Sequence, residues 1–376
     1  MSHPGNWQQG GHQPNWQGGQ WQQPRSGGGW PQHQQPGGWQ QQGAWQQQGG
    51  WQQQGAWAQQ GNWQQPAPAR GPGGSGPLKK ILGILLATCL LALVAFVVLL
   101  FAGGGVPGGY EYDDYEAPPA TDTAPDDLML PGSEDEAWQL LRENAAYQGT
   151  VPDNVNCELA PVEPGGMSDE QLQTAMNDFS ACLMRVWDRP MTEQGVTMFR
   201  PTITVYSGPI STGCGTRDDV NAFYCGADQL IYYHSDLHKA LPQVADTPLG
   251  VEVVMAHEFA HFLQGRTGIF GAFVALAGNL EESDRKEMIR RAEAQADCWS
   301  AQWVRANLQA MNIDQAGVEQ LLQIYHDIGD DSLSGDPDIE GDHGLGKTRQ
   351  AWGTTGLNSD SIGACNSWVV PAEQVR

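Results

Sequence analysis

The first 110 residues of this chain contain no aspartate and no glutamate, although the whole chain has 43 acidic and 19 basic residues. The formal net charge is −24, and four of the basic residues stand in this acid-free stretch, so the remainder carries about −28. Such acidity disfavours nucleic acid and anionic lipid as partners of the remainder, although it identifies no substrate. Before Lys79 the only basic residues are Arg25 and Arg70, so nucleic-acid binding by the N-terminal part is not expected either.

Residues 1–78 also have few aliphatic side chains, because they consist almost wholly of Trp, Gln, Gly, Pro and Ala. A segment of this composition cannot bury a core, and its Trp-Gln-Gln-Gln-Gly-Ala repeats are too short for a solenoid. We therefore predict a disordered tail. Its tryptophans either mediate self-association or partner binding, or they have no selective partner, and the sequence leaves both interpretations open.

A stretch of 21 residues without a charge, residues 81–101, follows the tail. As a helix it spans about 31 Å, which matches the hydrocarbon core of a bilayer. Lys79 and Lys80 precede it, whereas Asp113 and Asp114 follow, so we expect a single-pass protein of the cell membrane with a cytoplasmic N-terminus. The predicted organisation is a cytoplasmic tail (1–78), a transmembrane helix (79–103), an acidic Pro-rich tether (104–131) and an extracellular domain (132–376).

The strongest chemical signal in the acidic part is His257-Glu258-Phe259-Ala260-His261. Residues four apart lie on one face of a helix, so His257 and His261 can bind one zinc ion from neighbouring turns. Glu258 then lies beside the ion, where a carboxylate acts as general base on a zinc-activated water. The competing interpretation is a packed helix with two hydrogen-bonded histidines.

The flanking residues favour a helix around this motif. Asp246 and Pro248 predict its N-cap and first turn, and Gly265 and Gly268 predict its C-terminal end. Because apolar residues recur at helical spacing between them, we expect an amphipathic helix that buries one face.

A catalytic zinc ion usually has three protein ligands and one open position. Residues 283–310 predict a long helix in which Glu293 and Asp297 share one face. We expect Glu293 to bind the metal, and Asp297 to accept a hydrogen bond from the other ring nitrogen of a ligating histidine. A solvated acidic helix face is the competing interpretation.

The His-Glu-x-x-His motif followed by Glu-x-x-x-Asp resembles that of thermolysin-type zincins. The form Glu293-x-x-Ala296-Asp297-Cys298-Trp299 resembles, more specifically, the neutral zinc metallopeptidase family of bacterial membrane-anchored proteins. Further matching stretches within residues 202–368 are Gly213-Cys214-Gly215, Phe223-Tyr224-Cys225, Ala227-Asp228, His343-Gly344, Arg349, Trp352 and Cys365-Asn366. The resemblance implies a zincin-like fold with His257, His261 and Glu293 on Zn²⁺ and Glu258 as catalytic base.

The chain departs from the family pattern where His343-Gly344-Leu345 stands in place of His-Gly-Ser. His343 is a candidate catalytic residue, because the oxyanion of a tetrahedral intermediate needs a hydrogen-bond donor opposite the metal. The competing interpretation is a histidine of a mobile loop, since the preceding residues 329–342 are acidic and contain glycine.

Cysteine is almost absent before the acidic part. Cys89 lies within the apolar stretch, where a membrane-buried thiol is expected, and the other six stand at 157, 182, 214, 225, 298 and 365. An even number outside the membrane predicts disulfides, and a cysteine metal site is disfavoured because no C-x-x-C spacing is present. Cys214 and Cys225 flank a short stretch, the resemblance suggests Cys298 with Cys365, and Cys157 with Cys182 would remain.

The rest of the acidic part has mixed patterns. Residues 133–144 and 168–187 predict helices, the second opened by a Ser168/Gln171 capping box, and residues 201–206 and 229–233 predict strands. We therefore expect an α+β domain. In zincins the strand shortly before the zinc helix often lies along the substrate cleft, so the resemblance makes residues 229–233 a candidate for pairing with an extended peptide.

We conclude from the sequence that a membrane-anchored zinc-dependent endopeptidase is the leading expectation, with a peptide or protein substrate and the bilayer as a partner through residues 81–101. The alternative is a non-catalytic, zinc-stabilised ectodomain that binds an envelope or cell-wall partner. A third reading is a scaffold whose main function belongs to the Trp/Gln-rich tail.

Overall fold

The computed structural model describes residues 109–157 and 159–376. The predicted tail (1–78) and transmembrane helix (79–103) lie outside these residues, and among the residues described no helix is both long and apolar enough to cross a membrane. The described part combines many helices with short strands, so the α+β prediction is confirmed.

The elements follow each other along the chain in a helix-rich order. The helices are α1 (Glu134–Arg142), α2 (Asp169–Glu193), α3 (Leu237–Ala240), α4 (Pro242–Ala245), α5 (Gly250–Arg266), α6 (Ile269–Ala277), α7 (Glu282–Asn307), α8 (Gln315–Asp327), α9 (Asp330–Ser334) and α10 (Gly346–Leu357). The strands are β1 (Ile203–Tyr206), β2 (Ile210–Thr212), β3 (Gly215–Arg217), β4 (Ala222–Cys225) and β5 (Leu230–His234). Short 3-10 helices occupy Ala145–Gln148, Pro164–Gly166, Ile362–Cys365, Ser367–Val369 and Ala372–Gln374.

Helix α5 lies at the centre, between the sheet and α7, and α10 packs on another side of α7. Because α5 has neighbours on nearly every side, almost all of its residues are buried. The prediction of an amphipathic helix with one buried face was therefore wrong. A single sequence window does not reveal that both faces of a helix will be covered.

The start of α5 also differs from the prediction. Asp246 and Pro248 do not open it; Asp246 instead ends α4, and Leu249 adopts the left-handed conformation (φ 63°) before the helix begins at Gly250. A Cβ at Gly250 would lie 2.0 Å from the carbonyl oxygen of Val244, so this close turn requires glycine.

Helix α5 ends at Arg266 with Thr267 as its C-cap, and Gly268 follows in the left-handed conformation (φ +79°), which makes it the C-terminal stop that was predicted. Gly265 lies within the helix and does not end it. A Cβ there would lie 2.2 Å from the Tyr224 hydroxyl, so this glycine lets α5 approach the sheet.

Other predicted elements agree more closely. The Ser168/Gln171 capping box is present, and α2 continues to Glu193, with Pro190 inside it, rather than ending near residue 187. The predicted helix 283–310 corresponds to α7, and the predicted strand 201–206 corresponds to β1.

The three-stranded sheet has the order β1-β5-β4. Strand β5 pairs in parallel with β1 and antiparallel with β4, while β2 and β3 form a separate hairpin. The segment 229–233, predicted to pair with a substrate, is therefore the central strand, and both of its edges are already occupied. Among the strands described, the sheet's free edge facing α5 belongs to β4.

The segment 109–131, most of the predicted tether, lies against the domain. Tyr115 is buried and its hydroxyl donates to Asp188 at 2.6 Å, and Thr121 forms a parallel bridge with Pro201. The Asp126 carbonyl accepts a hydrogen bond from the Gln229 side chain. Composition predicted an acidic, Pro-rich tether here but not these anchoring contacts.

All six cysteines beyond residue 156 form disulfides. The pairs are Cys157–Cys182, Cys214–Cys225 and Cys298–Cys365, with Cα–Cα distances of 5.6, 5.8 and 5.5 Å. These are the predicted pairs. The third ties α7 to the C-terminal part of the chain, one residue after Asp297.

Candidate metal centre

Two imidazoles of α5 converge because His257 and His261 lie one turn apart on the same face. Their Nε2 atoms are 3.2 Å apart, and both residues are buried, with 7% and 9% of their surface exposed. Helix α7 packs against this face and adds Glu293. Its Oε2 lies 3.1 Å from Nε2 of His257, and its Oε1 lies 3.4 Å from Nε2 of His261. The three predicted ligand side chains thus meet at one point.

Each histidine is oriented through its other ring nitrogen. Nδ1 of His257 lies 2.9 Å from Oδ1 of Asp297, the partner expected from the sequence. Nδ1 of His261 lies 2.9 Å from Oε1 of Gln264. With both Nδ1 atoms donating to oxygen acceptors, both Nε2 lone pairs are directed to the meeting point. Two such lone pairs 3.2 Å apart repel each other unless a proton or a metal ion lies between them.

Asp297 is itself held by Arg349 of α10. The guanidinium donates from Nε to Oδ2 and from a terminal nitrogen to Oδ1, both at 2.8 Å, and also donates to the Ile328 carbonyl at 3.0 Å. Asp297 is fully buried. No role for Arg349 followed from the sequence, although this residue belongs to the stretches that carry the family resemblance.

The charges of the cluster support ionised carboxylates. Burial alone would raise the pKa of Glu293, but the imidazoles of His261 and His257 outweigh it and hold that pKa well below its usual range. Burial likewise opposes ionisation of Asp297, but Arg349 and His257 lower its pKa. Glu293 therefore offers an anionic oxygen next to two imidazole nitrogens.

Glu258 lies outside this set of ligand atoms. Its Oε2 accepts a hydrogen bond from the backbone N–H of Tyr224 in β4 at 2.9 Å. Burial raises the pKa of Glu258, against the opposing effect of His257 and His261. The carboxylate is therefore fixed between the metal-binding face of α5 and strand β4, with a raised affinity for a proton.

His343 lies in the loop between α9 and α10. Its Nδ1 is 3.1 Å from Asp342 and 3.5 Å from Asp330, and Oδ2 of Asp330 accepts the backbone N–H groups of His343 and Gly344. Burial opposes protonation of His343, but these two carboxylates outweigh it and raise its pKa well above the usual range, with a further contribution from Glu293. The structure thus places His343 near Glu293 but not among the three ligands.

Comparison with known proteins decides the family. The family model described as "Putative neutral zinc metallopeptidase" matches residues 153–368, more than half of the chain. The chain belongs to this family. The resemblance inferred from the sequence is confirmed.

The chain is similar to curated proteins over part of its length. "Uncharacterized protein YpfJ" of Escherichia coli is 28% identical over 193 residues, which cover 48% of this chain and 66% of that protein. "Uncharacterized protein Mb2605" of Mycobacterium bovis and "Uncharacterized protein Rv2575" of Mycobacterium tuberculosis are each 28% identical over 189 residues, 45% of this chain and 62% of theirs. The chain therefore spans slightly less than two thirds of the length of these relatives. No solved structure matches the chain.

Family membership implies Zn²⁺ as the cofactor, and the residues present fit it. Two imidazole nitrogens and one carboxylate form a donor set typical of catalytic zinc, which keeps a fourth position open. In the described part of the chain the ligand atoms of His257, His261 and Glu293 all lie within 4.8 Å of one another. Both imidazoles also have the oxygen partner on Nδ1 that zinc-binding histidines normally have.

Proposed function

We propose that this protein is a membrane-anchored zinc-dependent endopeptidase. The observation that carries the proposal is the position of Glu258, which the Tyr224 N–H holds beside the three zinc ligands rather than among them. A purely structural zinc site has no use for an oriented carboxylate with a raised pKa at this point.

The metal-binding role falls to His257, His261 and Glu293. Bound there, zinc would polarise the scissile carbonyl and lower the pKa of a water to about 7. Asp297 and Gln264 would keep the two imidazole rings in orientation.

Glu258 would act as the general base. Because Oε2 is occupied by the Tyr224 N–H, Oε1 is the atom that takes the proton from the attacking water. The same oxygen would then deliver that proton to the leaving amine. The raised pKa of Glu258 favours both transfers near neutral pH, since a carboxylate with too low a pKa is a weak base.

The free edge of β4 would hold the substrate as an added strand. The N–H of His234 donates to the Asn221 carbonyl, so the alternation of an antiparallel ladder turns the backbone groups of Ala222 and Tyr224 away from β5. Because Glu258 already holds the Tyr224 N–H, an extended peptide would pair with the N–H and carbonyl of Ala222 and the carbonyl of Tyr224, and it would run past Glu258. A strand-shaped site of this kind favours cleavage within a chain.

His343 is proposed to stabilise the oxyanion. Asp342 and Asp330 hold its Nδ1, which leaves the Nε2–H to donate to the developing negative charge. A cationic imidazole at this position would strengthen that hydrogen bond.

Membrane anchoring is part of the proposal and rests on the apolar run 81–101 and its flanking charges. The three disulfides agree with an extracellular location of the catalytic domain, since disulfides persist in oxidising compartments.

The proposal is tested with the full-length chain purified in mild detergent. Zinc content and cleavage of unfolded casein are measured for wild type, Glu258→Gln and Glu252→Gln. The last is a matched control, because Glu252 is a buried glutamate of the same helix that lies outside the metal centre. We expect one zinc per chain in all three, and loss of cleavage by at least about 100-fold in Glu258→Gln alone.

Two results would contradict the proposal. Undiminished cleavage by Glu258→Gln would show that Glu258 is not the general base. Zinc binding without cleavage by the wild type would favour the non-catalytic binding domain.

A further inference from the structure

A chain of buried polar side chains extends behind His261. Oε1 of Gln264 lies 2.9 Å from Nδ1 of His261, and Nε2 of Gln264 donates to the Ala292 carbonyl at 2.8 Å and to Oε1 of Gln295 at 3.0 Å. Nε2 of Gln295 donates to the Tyr147 hydroxyl at 3.0 Å. Both glutamines are fully buried, so water cannot replace these partners.

The direction of every hydrogen bond in this chain is set by its ends. Carbonyl oxygens only accept, and three of them close the chain: Ala292 on Gln264, Cys365 on Gln295 at 3.4 Å, and Leu141 on the Tyr147 hydroxyl at 2.8 Å. A flipped Gln264 amide would bring its oxygen against the Ala292 carbonyl. Its oxygen must therefore face His261.

The consequence at His261 is a single tautomer. An amide oxygen cannot donate, so Nδ1 of His261 must carry a proton, and in the neutral ring Nε2 then presents a lone pair. We propose that Gln264, Gln295 and Tyr147 are positioning residues that fix this tautomer and the ring orientation for metal binding, a role that rests on the zinc site of the proposed function. Gln264 contacts the metal-ligating His261 directly, whereas Gln295 and Tyr147 act through Gln264.

The two ligating histidines are thus supported in different ways. His257 donates to an ionised carboxylate, Asp297, whereas His261 donates to a neutral amide. A neutral partner places no negative charge behind His261. The orientation of the His261 ring therefore depends on the hydrogen bonds that hold the Gln264 amide. Replacement of Gln295 should therefore weaken metal binding, although Gln295 does not contact His261.

The chain also gives a role to the segment 133–148. Tyr147 and Leu141 precede residue 153, where the family match begins, yet they close the chain that reaches His261. This segment therefore completes the series of hydrogen bonds behind the metal centre.

The alternative interpretation is that the buried amides only stabilise the fold. Gln302 distinguishes the two interpretations, because it is another fully buried glutamine of α7. Its amide donates to the carbonyls of Ser359 and Ser361, at 3.1 and 2.8 Å, and neither of these residues is one of the three metal ligands. Gln302→Met is therefore the matched control for Gln295→Met.

The experiment uses the full-length chain in detergent. Zinc affinity is measured by competition with a chromogenic chelator, the visible spectrum of the Co²⁺-substituted protein reports ligand geometry, and near-UV circular dichroism checks folding of the metal-free chain. We expect Gln264→Met to weaken zinc binding about 10- to 100-fold and Gln295→Met about 10-fold, with altered Co²⁺ bands in both. Gln302→Met should leave the affinity and the bands unchanged.

Wild-type affinity in folded Gln264→Met and Gln295→Met would overturn the inference, as would equal weakening in Gln302→Met. If Gln295→Met does not fold, Tyr147→Phe carries the test, because it removes one hydroxyl only; we expect about threefold weaker zinc binding and shifted Co²⁺ bands, and no change in either would refute the role. A failure of the proposed function is distinguishable, since there the wild-type chain itself would bind no zinc or cleave no protein.

Discussion

Arg349→Met should be among the most destabilising single substitutions in the domain. The substitution keeps most of the side-chain volume but removes both hydrogen bonds to Asp297, whose carboxylate is fully buried and would keep only the His257 ring as a partner. Removing one member of a buried ion pair leaves an uncompensated charge and costs about 3–5 kcal/mol. We expect a loss of that size in the free energy of unfolding of the metal-free chain.

Burial can be isolated as the cause, because the chain contains a second pair with the same geometry. Arg217 donates to Asp219 through two hydrogen bonds of 2.8 and 2.7 Å, but these side chains are 23% and 34% exposed. Water solvates the carboxylate that Arg217→Met would leave behind. That variant should therefore lose no more than about 1 kcal/mol.

The assay is urea unfolding of the full-length chain followed by circular dichroism at 222 nm. Adding Asp297→Asn to Arg349→Met should recover part of the lost stability, because it removes the stranded charge. Equal losses in Arg349→Met and Arg217→Met, or no recovery in the double variant, would show that the buried charge of Asp297 is not the cause of the destabilisation.

Three further predictions concern other parts of the domain. Burial raises the pKa of Glu252 to about 7, so the protonated folded form is favoured and stability from this group falls as pH rises from about 4.5 to about 7. In urea titrations of the metal-free chain, Glu252→Gln should accordingly be more stable than wild type by about 3 kcal/mol at pH 8 and by almost nothing near pH 4.5; a constant difference would contradict this. Replacing Cys214 and Cys225 by serine opens a loop with a sequence separation of 11 and should cost about 3 kcal/mol of unfolding free energy, whereas an unchanged urea midpoint would contradict it. Gly356→Ala places a Cβ 2.0 Å from the Cys298 carbonyl oxygen and should lower the free energy of unfolding by about 1–3 kcal/mol in the same urea titrations, whereas an unchanged value would contradict this.

The metal ligands were accessible from the sequence because helical spacing alone decides which residues share a face. His257 and His261 are four apart, as are Glu293 and Asp297, so each pair could be placed before its helix was seen. That α7 lies opposite α5 was expected because a catalytic zinc ion needs a third protein ligand. Family resemblance then supplied the disulfide between Cys298 and Cys365.

The supporting contacts were less accessible. Gln264 follows His261 by three residues, a local spacing that could have suggested its hydrogen bond. Gln295, Tyr147 and Arg349 act over long sequence separations, and no local pattern marks a buried amide or guanidinium as the partner of a particular side chain.

Strand order shows the same limit. The composition of residues 229–233 predicts a strand but does not say how many neighbours it has. The edge that faces Glu258 belongs to β4, whose position depends on pairing that forms only in the folded domain. Likewise, the acidic, Pro-rich composition of residues 109–131 gives no sign of their contacts with Asp188 and Gln229.

The most direct test of the central claim is zinc K-edge X-ray absorption on the full-length chain, with Glu293→Gln beside the wild type. We expect one zinc per chain, surrounded by two imidazole nitrogens and carboxylate or water oxygens at about 2.0–2.2 Å, and a disturbed oxygen shell in Glu293→Gln. A chain without zinc, a sulfur shell at about 2.3 Å, or a spectrum that Glu293→Gln leaves unchanged would contradict it.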